Sequence, residues 1–236
     1  GHVLIVRLGR DAAAEAALDR LHLRMPDKLN GPFARERLDQ GYVLSVEPGG
    51  VVLAARSARG AYYGVQTLRQ LVRANVGEKS IPACRIVDYP ALAYRCWQLD
   101  VSRGPIPTLD FLKRTVRELS AMKLNAMTMY TENVFKNPKH PKIAPSDGIT
   151  ADEARELCGY AKRYHVEVLG NHQAFGHYAK TLRLPEYAHL GENGSVLSPA
   201  REGTYALLKD IFDVIAPAFD SPLFVINCDE TYGLGE

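Results

Sequence analysis

Apolar and polar positions change period several times along this chain, and the changes divide it. Residues 3–8 are a candidate strand, and Asp11 stands as N-cap before an alanine-rich helical run over 12–23. Residues 42–47 and 51–56 each alternate with period two around Pro48-Gly49-Gly50, which predicts a β-hairpin. Further on, Tyr62, Val65, Leu68, Leu71 and Val72 recur at helical spacing and predict an amphipathic helix packed on that hairpin. Residues 1 to about 80 thus read as a small α+β domain, and nothing in it looks like a reaction centre.

Ile81-Pro82 and Asp88-Tyr89-Pro90 punctuate the chain, and the pattern then becomes a regular alternation of strands and helices. Strands are expected over 94–101, 124–130, 166–170 and 223–227, with helices over 109–122, 151–164 and 204–219 between them. Strands that alternate with helices imply a parallel sheet with right-handed crossovers. The strand-to-helix loops are long and carry the unusual residues, whereas the return connections are short. That asymmetry belongs to (β/α)8 barrels of the TIM type, whose strand-to-helix loops bear function. Four such repeats in about 145 residues make half of the usual eight. The expected organisation is therefore an N-terminal α+β domain over 1–88 and the first half of an α/β barrel over 89–236, truncated after its fourth strand.

Composition narrows the function classes. The 236 residues are 46% hydrophobic and 24% charged with a net charge of +2, an ordinary globular profile that argues against nucleic acid or a membrane surface as partner. Basic residues are scattered, and the densest patch, between Lys136 and Lys142, is broken by two prolines and reads as a solvated loop. No apolar run approaches the roughly 20 residues that span a bilayer. Cys84, Cys96, Cys158 and Cys228 are too few and too far apart for a disulfide framework or a zinc site; they are expected as buried free thiols, which leans towards a reducing, cytoplasmic compartment. Gly1-His2 reads as a tag remnant, so an export signal could have been removed.

The chemistry-bearing residues fall just after the four barrel strands. They are Asp100-Val-Ser-Arg103, Tyr130-Thr-Glu132-Asn133, Asn171-His172 through Gly176-His177-Tyr178, and Asp229-Glu230. Four polar loops on one rim imply a pocket rich in carboxylate, imidazole, guanidinium and aromatic groups, with no glycine fingerprint for phosphate. Two adjacent carboxylates after a buried strand are costly unless used, although an exposed acidic turn would look the same. His172 and His177 are five apart in a glycine-containing loop and lack the i, i+4 spacing of a zinc hydrolase, so no metal is expected. No Gly-x-Ser-x-Gly elbow marks a serine hydrolase. Trp97, Met122, Met127 and Met129 read as packing residues, and His165 as a surface or capping residue.

The run Tyr89-Pro-Ala-Leu-Ala-Tyr-Arg-Cys-Trp-Gln-Leu-Asp-Val-Ser-Arg103 resembles the entry into the catalytic barrel of glycoside hydrolase family 20, the β-N-acetylhexosaminidases. Gly60-Ala-Tyr-Tyr-Gly-Val-Gln-Thr-Leu-Arg-Gln-Leu71 resembles the end of the small domain that precedes that barrel. Phe175-Gly-His177 and Cys228-Asp-Glu230 follow in the family's order, so the resemblance covers nearly the whole chain. It implies exo-hydrolysis of terminal β-linked N-acetylglucosamine or N-acetylgalactosamine, in which the substrate's own acetamido oxygen attacks the anomeric carbon and no cofactor takes part. By resemblance, Glu230 is the general acid and Asp229 orients the acetamido group and stabilises the oxazolinium intermediate. Arg103 grips the sugar's outer hydroxyls, Asp100 supports Arg103, and His177 lines the pocket beside the pair. An acid must keep its proton near neutral pH, and a neighbouring carboxylate favours that. Because successive strand residues point to opposite faces, Asp229 and Glu230 can share a pocket only where the strand is ending.

Three departures stand out. Cys228 replaces a glycine common in the family. Tyr130-Thr-Glu132-Asn133 stands where many members have a His-x-x-Asp pattern, so Glu132 or Asn133 is expected to take over that support. The second half of the barrel, which in the family supplies a tryptophan wall and a tyrosine on the acetamido oxygen, is missing, and the unpaired strand edges make a homodimer or aggregation of the isolated chain an expectation. Two rivals stay open: a non-catalytic sugar-binding or scaffolding relative, and a barrel enzyme that uses another carboxylate pair.

Overall fold

The computed structural model describes residues 2–7, 16, 18, 19 and 22–235. It divides into two compact units, Gly1–Arg95 with Ala121–Lys123, and Cys96–Ser120 with Leu124–Glu236.

The first unit is built on a four-stranded sheet of β1 (His2–Arg7), β2 (Tyr42–Glu47), β3 (Gly50–Ala55) and β4 (Cys84–Asp88), in the order β1-β3-β2-β4. The expected hairpin is present, with β2 antiparallel to β3 and Leu44 opposite Leu53. A six-residue helix, α1 (Ala34–Asp39), precedes it, and α2 (Ala58–Ala74) follows, with Ser57 capping its first turn by accepting from the Gly60 N–H at 3.0 Å. Tyr42, Leu44, Leu53, Ala55 and Tyr63 form the core between hairpin and α2. Within the helical stripe Val72 is exposed and Tyr63 is the side chain most deeply buried, so the inward face is rotated towards Gly60, Tyr63 and Gly64. The glycines explain the rotation: a Cβ on Gly64 would sit 2.2 Å from Leu53 Cδ1. Sequence reading passed over two elements. The helix α1 buries only Leu38, and β4 is a five-residue edge strand between Pro82 and Pro90, which read as a linker. The helix expected over 12–23 lies mostly outside the described residues, although Leu18 and Leu23 are buried.

The second unit holds four parallel strands in sequential order, β5 (Cys96–Asp100), β6 (Ala126–Tyr130), β7 (Glu167–Gln173) and β8 (Phe224–Asn227). Between them run α3 (Leu109–Ala121), α4 (Ala151–Lys162), the single turn α5 (Ala179–Leu182) and α6 (Glu202–Ile215). Each long helix buries one stripe: Leu112, Val116 and Leu119 on α3, Ala154, Leu157, Cys158 and Ala161 on α4, Leu207, Ile211 and Ile215 on α6. These stripes join Met127, Met129, Val166 and Val168 in one apolar cluster. Helix α4 begins on a reciprocal capping box, in which Glu153 N–H donates to Thr150 Oγ1 at 3.1 Å and Thr150 N–H to Glu153 Oε2 at 2.9 Å.

One boundary matters for the site. The third barrel strand does not end at Gly170 but continues through Asn171, His172 and Gln173, which pair with Val225, Ile226 and Asn227 of β8. These polar residues are all buried, so the strand carries its polarity inward at its carboxyl end. Other expectations need correcting as well. Met122 is 61% exposed, because α3 ends before it, while Met127 and Met129 are buried as expected. Of the four free thiols, Cys158 is buried, Cys84 half-buried, and Cys96 and Cys228 exposed, Cys96 opening β5 and Cys228 just beyond the end of β8. No helix among the described residues is long and apolar enough to cross a membrane.

Candidate functional site

The carboxyl ends of β5 to β8 bring together six of the seven residues singled out from the sequence. Asp100 closes β5, and the chain then turns so that Asp100 Oδ1 accepts the Ser102 N–H at 2.9 Å. Asp100 Oδ2 takes Arg103 Nη1–H at 2.6 Å. The other arm of the fork, Nη2, lies 3.1 Å from Glu132 Oε1, 3.2 Å from His177 Nδ1 and 3.4 Å from the Tyr130 hydroxyl, and the guanidinium carbon stands 4.9 Å from the Tyr130 ring centroid. Ser102 Oγ accepts the Glu132 N–H at 2.8 Å and so ties the loops after β5 and β6 together. The Glu132 carboxylate is 8% exposed, and burying it is tolerable because Arg103 faces it. The hydrogen bonds from Arg103 to Asp100 and Tyr130 raise the guanidinium pKa, so its charge is permanent.

His177 sits at the centre. Arg103 has only donors, so His177 Nδ1 accepts from it, which leaves the ring hydrogen of the neutral imidazole on Nε2. Nε2 faces both carboxylates, 3.2 Å from Glu230 Oε2 and 3.5 Å from Asp229 Oδ2, in contact range of each without a well-aligned bond to either. Two backbone features produce this. Strand β8 stops at Asn227, and Glu230 has φ of 51°, a left-handed turn that breaks strand alternation and swings its carboxylate to the same side as Asp229. Gly176 allows the close approach from the other side: a Cβ there would lie 2.4 Å from the Asp229 carbonyl oxygen.

Gln173, which sequence reading passed over, supplies a further contact: its Nε2 donates to Asp229 Oδ1 at 2.5 Å and to the Tyr130 hydroxyl. Partial burial of Asp229 works to raise its pKa, but the Gln173 hydrogen bond, a backbone hydrogen bond and the charge of Arg103 together hold the carboxylate below the usual range. Reading β7 through to residue 173 would have exposed Gln173, since it then falls on the inward alternation with Asn171 and Leu169.

Asn133 stands apart from this group; its Nδ2 donates to the Ile143 carbonyl at 3.4 Å and helps hold the 134–149 loop. His172 is fully buried, with Nδ1 2.9 Å from Thr131 Oγ1, and burial lowers its pKa to about 4, so it is a neutral structural residue. Trp97 packs against the apolar cluster.

A cavity of about 320 Å³ opens over this group, lined by Arg103, Glu132, His177, Lys180, Glu230 and Tyr232 among others. A larger one, about 650 Å³, lies along the proline-rich loop by Pro138, Pro141, Thr150 and Val214 and does not include the carboxylate pair. Among the described residues, His177, Asp229 and Glu230 offer donor atoms within 4.8 Å of one another, a spacing a cation could use and equally the spacing of an acid–base pair around an imidazole. An ionised carboxylate, a second one beside it and a fixed guanidinium can orient a polar neutral ligand, stabilise developing positive charge and exchange a proton.

Residues 9–89 match glycosyl hydrolase family 20, domain 2, and residues 92–233 match the glycosyl hydrolase family 20 catalytic domain. A beta-hexosaminidase of Porphyromonas gingivalis is 26% identical over 227 residues, covering 81% of this chain and 29% of the relative. Among solved structures, the GH20 β-N-acetylhexosaminidase of Streptomyces coelicolor A3(2) superposes with a TM-score of 0.73 at 25% identity, over 98% of this chain and 56% of that one. A mutant Streptomyces plicatus beta-hexosaminidase in complex with its product GlcNAc has a TM-score of 0.68 at 24% identity, over 94% of this chain and 54% of that one. The chain thus spans well under half of that curated relative and about half of those solved structures. Its four parallel strands and the helices between them are part of a TIM-barrel-type fold, and the chain belongs to glycosyl hydrolase family 20.

Proposed function

We propose that the polypeptide carrying this chain is a retaining exo-β-N-acetylhexosaminidase that hydrolyses terminal β-linked N-acetylglucosamine or N-acetylgalactosamine with the help of the substrate's own acetamido group. In this reading residues 1–88 are a non-catalytic α+β domain and 89–236 the first half of the catalytic barrel. The observation that carries it is the convergence of Asp229 and Glu230 on His177 Nε2, at 3.5 and 3.2 Å, made possible by the left-handed turn at Glu230.

Each role follows from the surroundings. Glu230, with its side chain 56% exposed at the cavity, can reach a glycosidic oxygen and give it a proton. As the bond from C1 to that oxygen breaks, the acetamido oxygen bonds to C1, the leaving group departs as an alcohol, and positive charge spreads over the oxazolinium ring. Asp229, held ionised by Gln173 and His177, accepts the acetamido N–H and stabilises that charge. Water then attacks C1, Glu230 takes its proton, and the acetamido group reopens, so two inversions retain configuration. Arg103, aimed by Asp100 and Glu132, grips the sugar's hydroxyls as a planar fork. Asn133 contributes by holding the loop that carries Glu132. The GlcNAc bound to the Streptomyces plicatus relative supports this substrate class.

Leaving-group dependence tests the roles on the full polypeptide. Glu230→Gln should lose activity on a methylumbelliferyl donor and keep much of it on a dinitrophenyl donor, whose departure needs no proton. Asp229→Asn should lose activity on both. A Glu230→Gln enzyme that cleaves both donors at wild-type rate would remove the acid from the scheme.

A further inference from the structure

We infer that Gln173 is the positioning residue of this site: it spends both of its amide hydrogens, one on Tyr130 and one on Asp229, and thereby fixes the rotamer and the charge of the carboxylate beside the acid. The inference rests on the functional reading above for its catalytic consequence, though not for the contact itself.

The side-chain amide of Gln173 is fully buried. Its orientation follows from its neighbours. Asp229 is acceptor-only when ionised, so the amide nitrogen must face it; the amide oxygen there would repel it. The nitrogen has two hydrogens, and both are used, on Asp229 Oδ1 at 2.5 Å and on the Tyr130 hydroxyl. The amide oxygen then has no hydrogen-bond partner among the described residues, a cost accepted for that orientation. The backbone is pinned on three sides: Gln173 N–H donates to the Thr131 carbonyl at 3.1 Å, the Gln173 carbonyl accepts from the Tyr178 hydroxyl at 2.8 Å, and the next N–H, of Ala174, donates to the Asn227 carbonyl at 2.8 Å. The donor is therefore on a rigid strand, whereas Asp229 is on a half-exposed loop end that has no comparable hold of its own.

The same amide links the two ends of the pocket. Tyr130 accepts from Gln173 and lies under Arg103, so one chain of contacts runs from Asp100 through Arg103, Tyr130 and Gln173 to Asp229. The part that would grip sugar hydroxyls and the part that would hold the acetamido group are thus set by one buried side chain. The charged and titratable groups facing Asp229 are His177 from the loop after β7, Glu230 from its own loop, Arg103 from the loop after β5, and Tyr130 from β6. Of these, His177 is shared with Glu230, so removing Gln173 leaves Asp229 without a side-chain donor that is its own.

The test is made on the full polypeptide with an aryl N-acetyl-β-glucosaminide and by carbon-13 NMR titration of Asp229. Gln173→Met, which keeps the length and removes both donors, should lower kcat about 10- to 100-fold, the worth of one hydrogen bond to a charged group, with KM moved far less. Its acid limb should shift to higher pH, as should the Asp229 titration. Tyr130→Phe, which removes only the second acceptor, should move both in the same direction by less. Gln173→Glu places a carboxyl on Asp229 and should be inactive at neutral pH, recovering as acid supplies a proton between the two. An unshifted Asp229 titration in both Gln173→Met and Tyr130→Phe would overturn the inference. If the wild type cleaved no N-acetylhexosaminide, the functional reading would fall, and the titration would still decide what Gln173 does to Asp229.

Discussion

Gly176→Ala is a one-atom test of how the site is assembled. A Cβ at residue 176 would lie 2.4 Å from the Asp229 carbonyl oxygen, whereas ordinary contact begins at 3.4 Å, so about 1 Å of separation must be found. Neither neighbour yields cheaply. The obstructing atom is backbone, and the loop bearing Gly176 continues into His177, whose φ of 59° is already left-handed. The displacement therefore falls on the Asp229-Glu230 segment or on His177, in either case changing the 3.2 and 3.5 Å contacts that join them. A misplacement of about 1 Å in a catalytic group costs on the order of 100-fold in rate. The assay is kcat on an aryl N-acetyl-β-glucosaminide, with a thermal melt to follow folding. Gly159→Ala on α4, where a Cβ meets nothing within 4 Å, is the control and should gain about 0.5–1 kcal/mol with kcat unchanged. A Gly176→Ala enzyme with wild-type kcat would show that the approach of this loop to Asp229 has no part in catalysis.

Other outcomes follow from the same contacts. Arg103→Lys keeps the charge but cannot span Asp100 and Glu132 at once, so kcat/KM should fall at least about tenfold, mostly through KM. Thr150→Ala removes half of the α4 capping box and should cost about 1 kcal/mol in denaturant unfolding. The Thr150 N–H and hydroxyl hold Glu153 below the usual glutamate range, so its contribution to stability is complete above the ordinary value and is lost as pH falls through the lowered one; Glu153→Gln should flatten that acid dependence. Leu157→Ala, in the fully buried stripe of α4, should cost about 2–5 kcal/mol, read from the same unfolding curves.

Periodicity carried most of the architecture, because buried parallel strands and amphipathic helices write their environment into their sequence. Met127 and Met129 on β6, and Leu157 and Ala161 on α4, could be read directly. Where burial and polarity part company, the reading faltered. The apolar run ends at Gly170, and Asn171, His172 and Gln173 look like loop residues; they remain in the strand because their backbone groups pair with β8 and their side chains find partners indoors, Asn227 for Asn171, Thr131 for His172 and Tyr130 for Gln173. The edge strand β4 and the polar helix α1 were missed because neither buries enough to leave a period. In the site, the charged residues were visible as a rim pattern, and Asp100, Arg103, Glu132, His177, Asp229 and Glu230 do come together. The neutral amide that positions Asp229, and the left-handed turn that lets Glu230 join it, depend on tertiary contacts that no local spacing encodes.

The most direct test is hydrolysis of a methylumbelliferyl N-acetyl-β-glucosaminide beside the matching methylumbelliferyl β-glucoside, by the full polypeptide with and without Glu230→Gln. Catalysis by the acetamido group, with Glu230 as acid, predicts cleavage of the acetamido sugar alone and its loss in the variant. Equal cleavage of both sugars, or of neither, would contradict it.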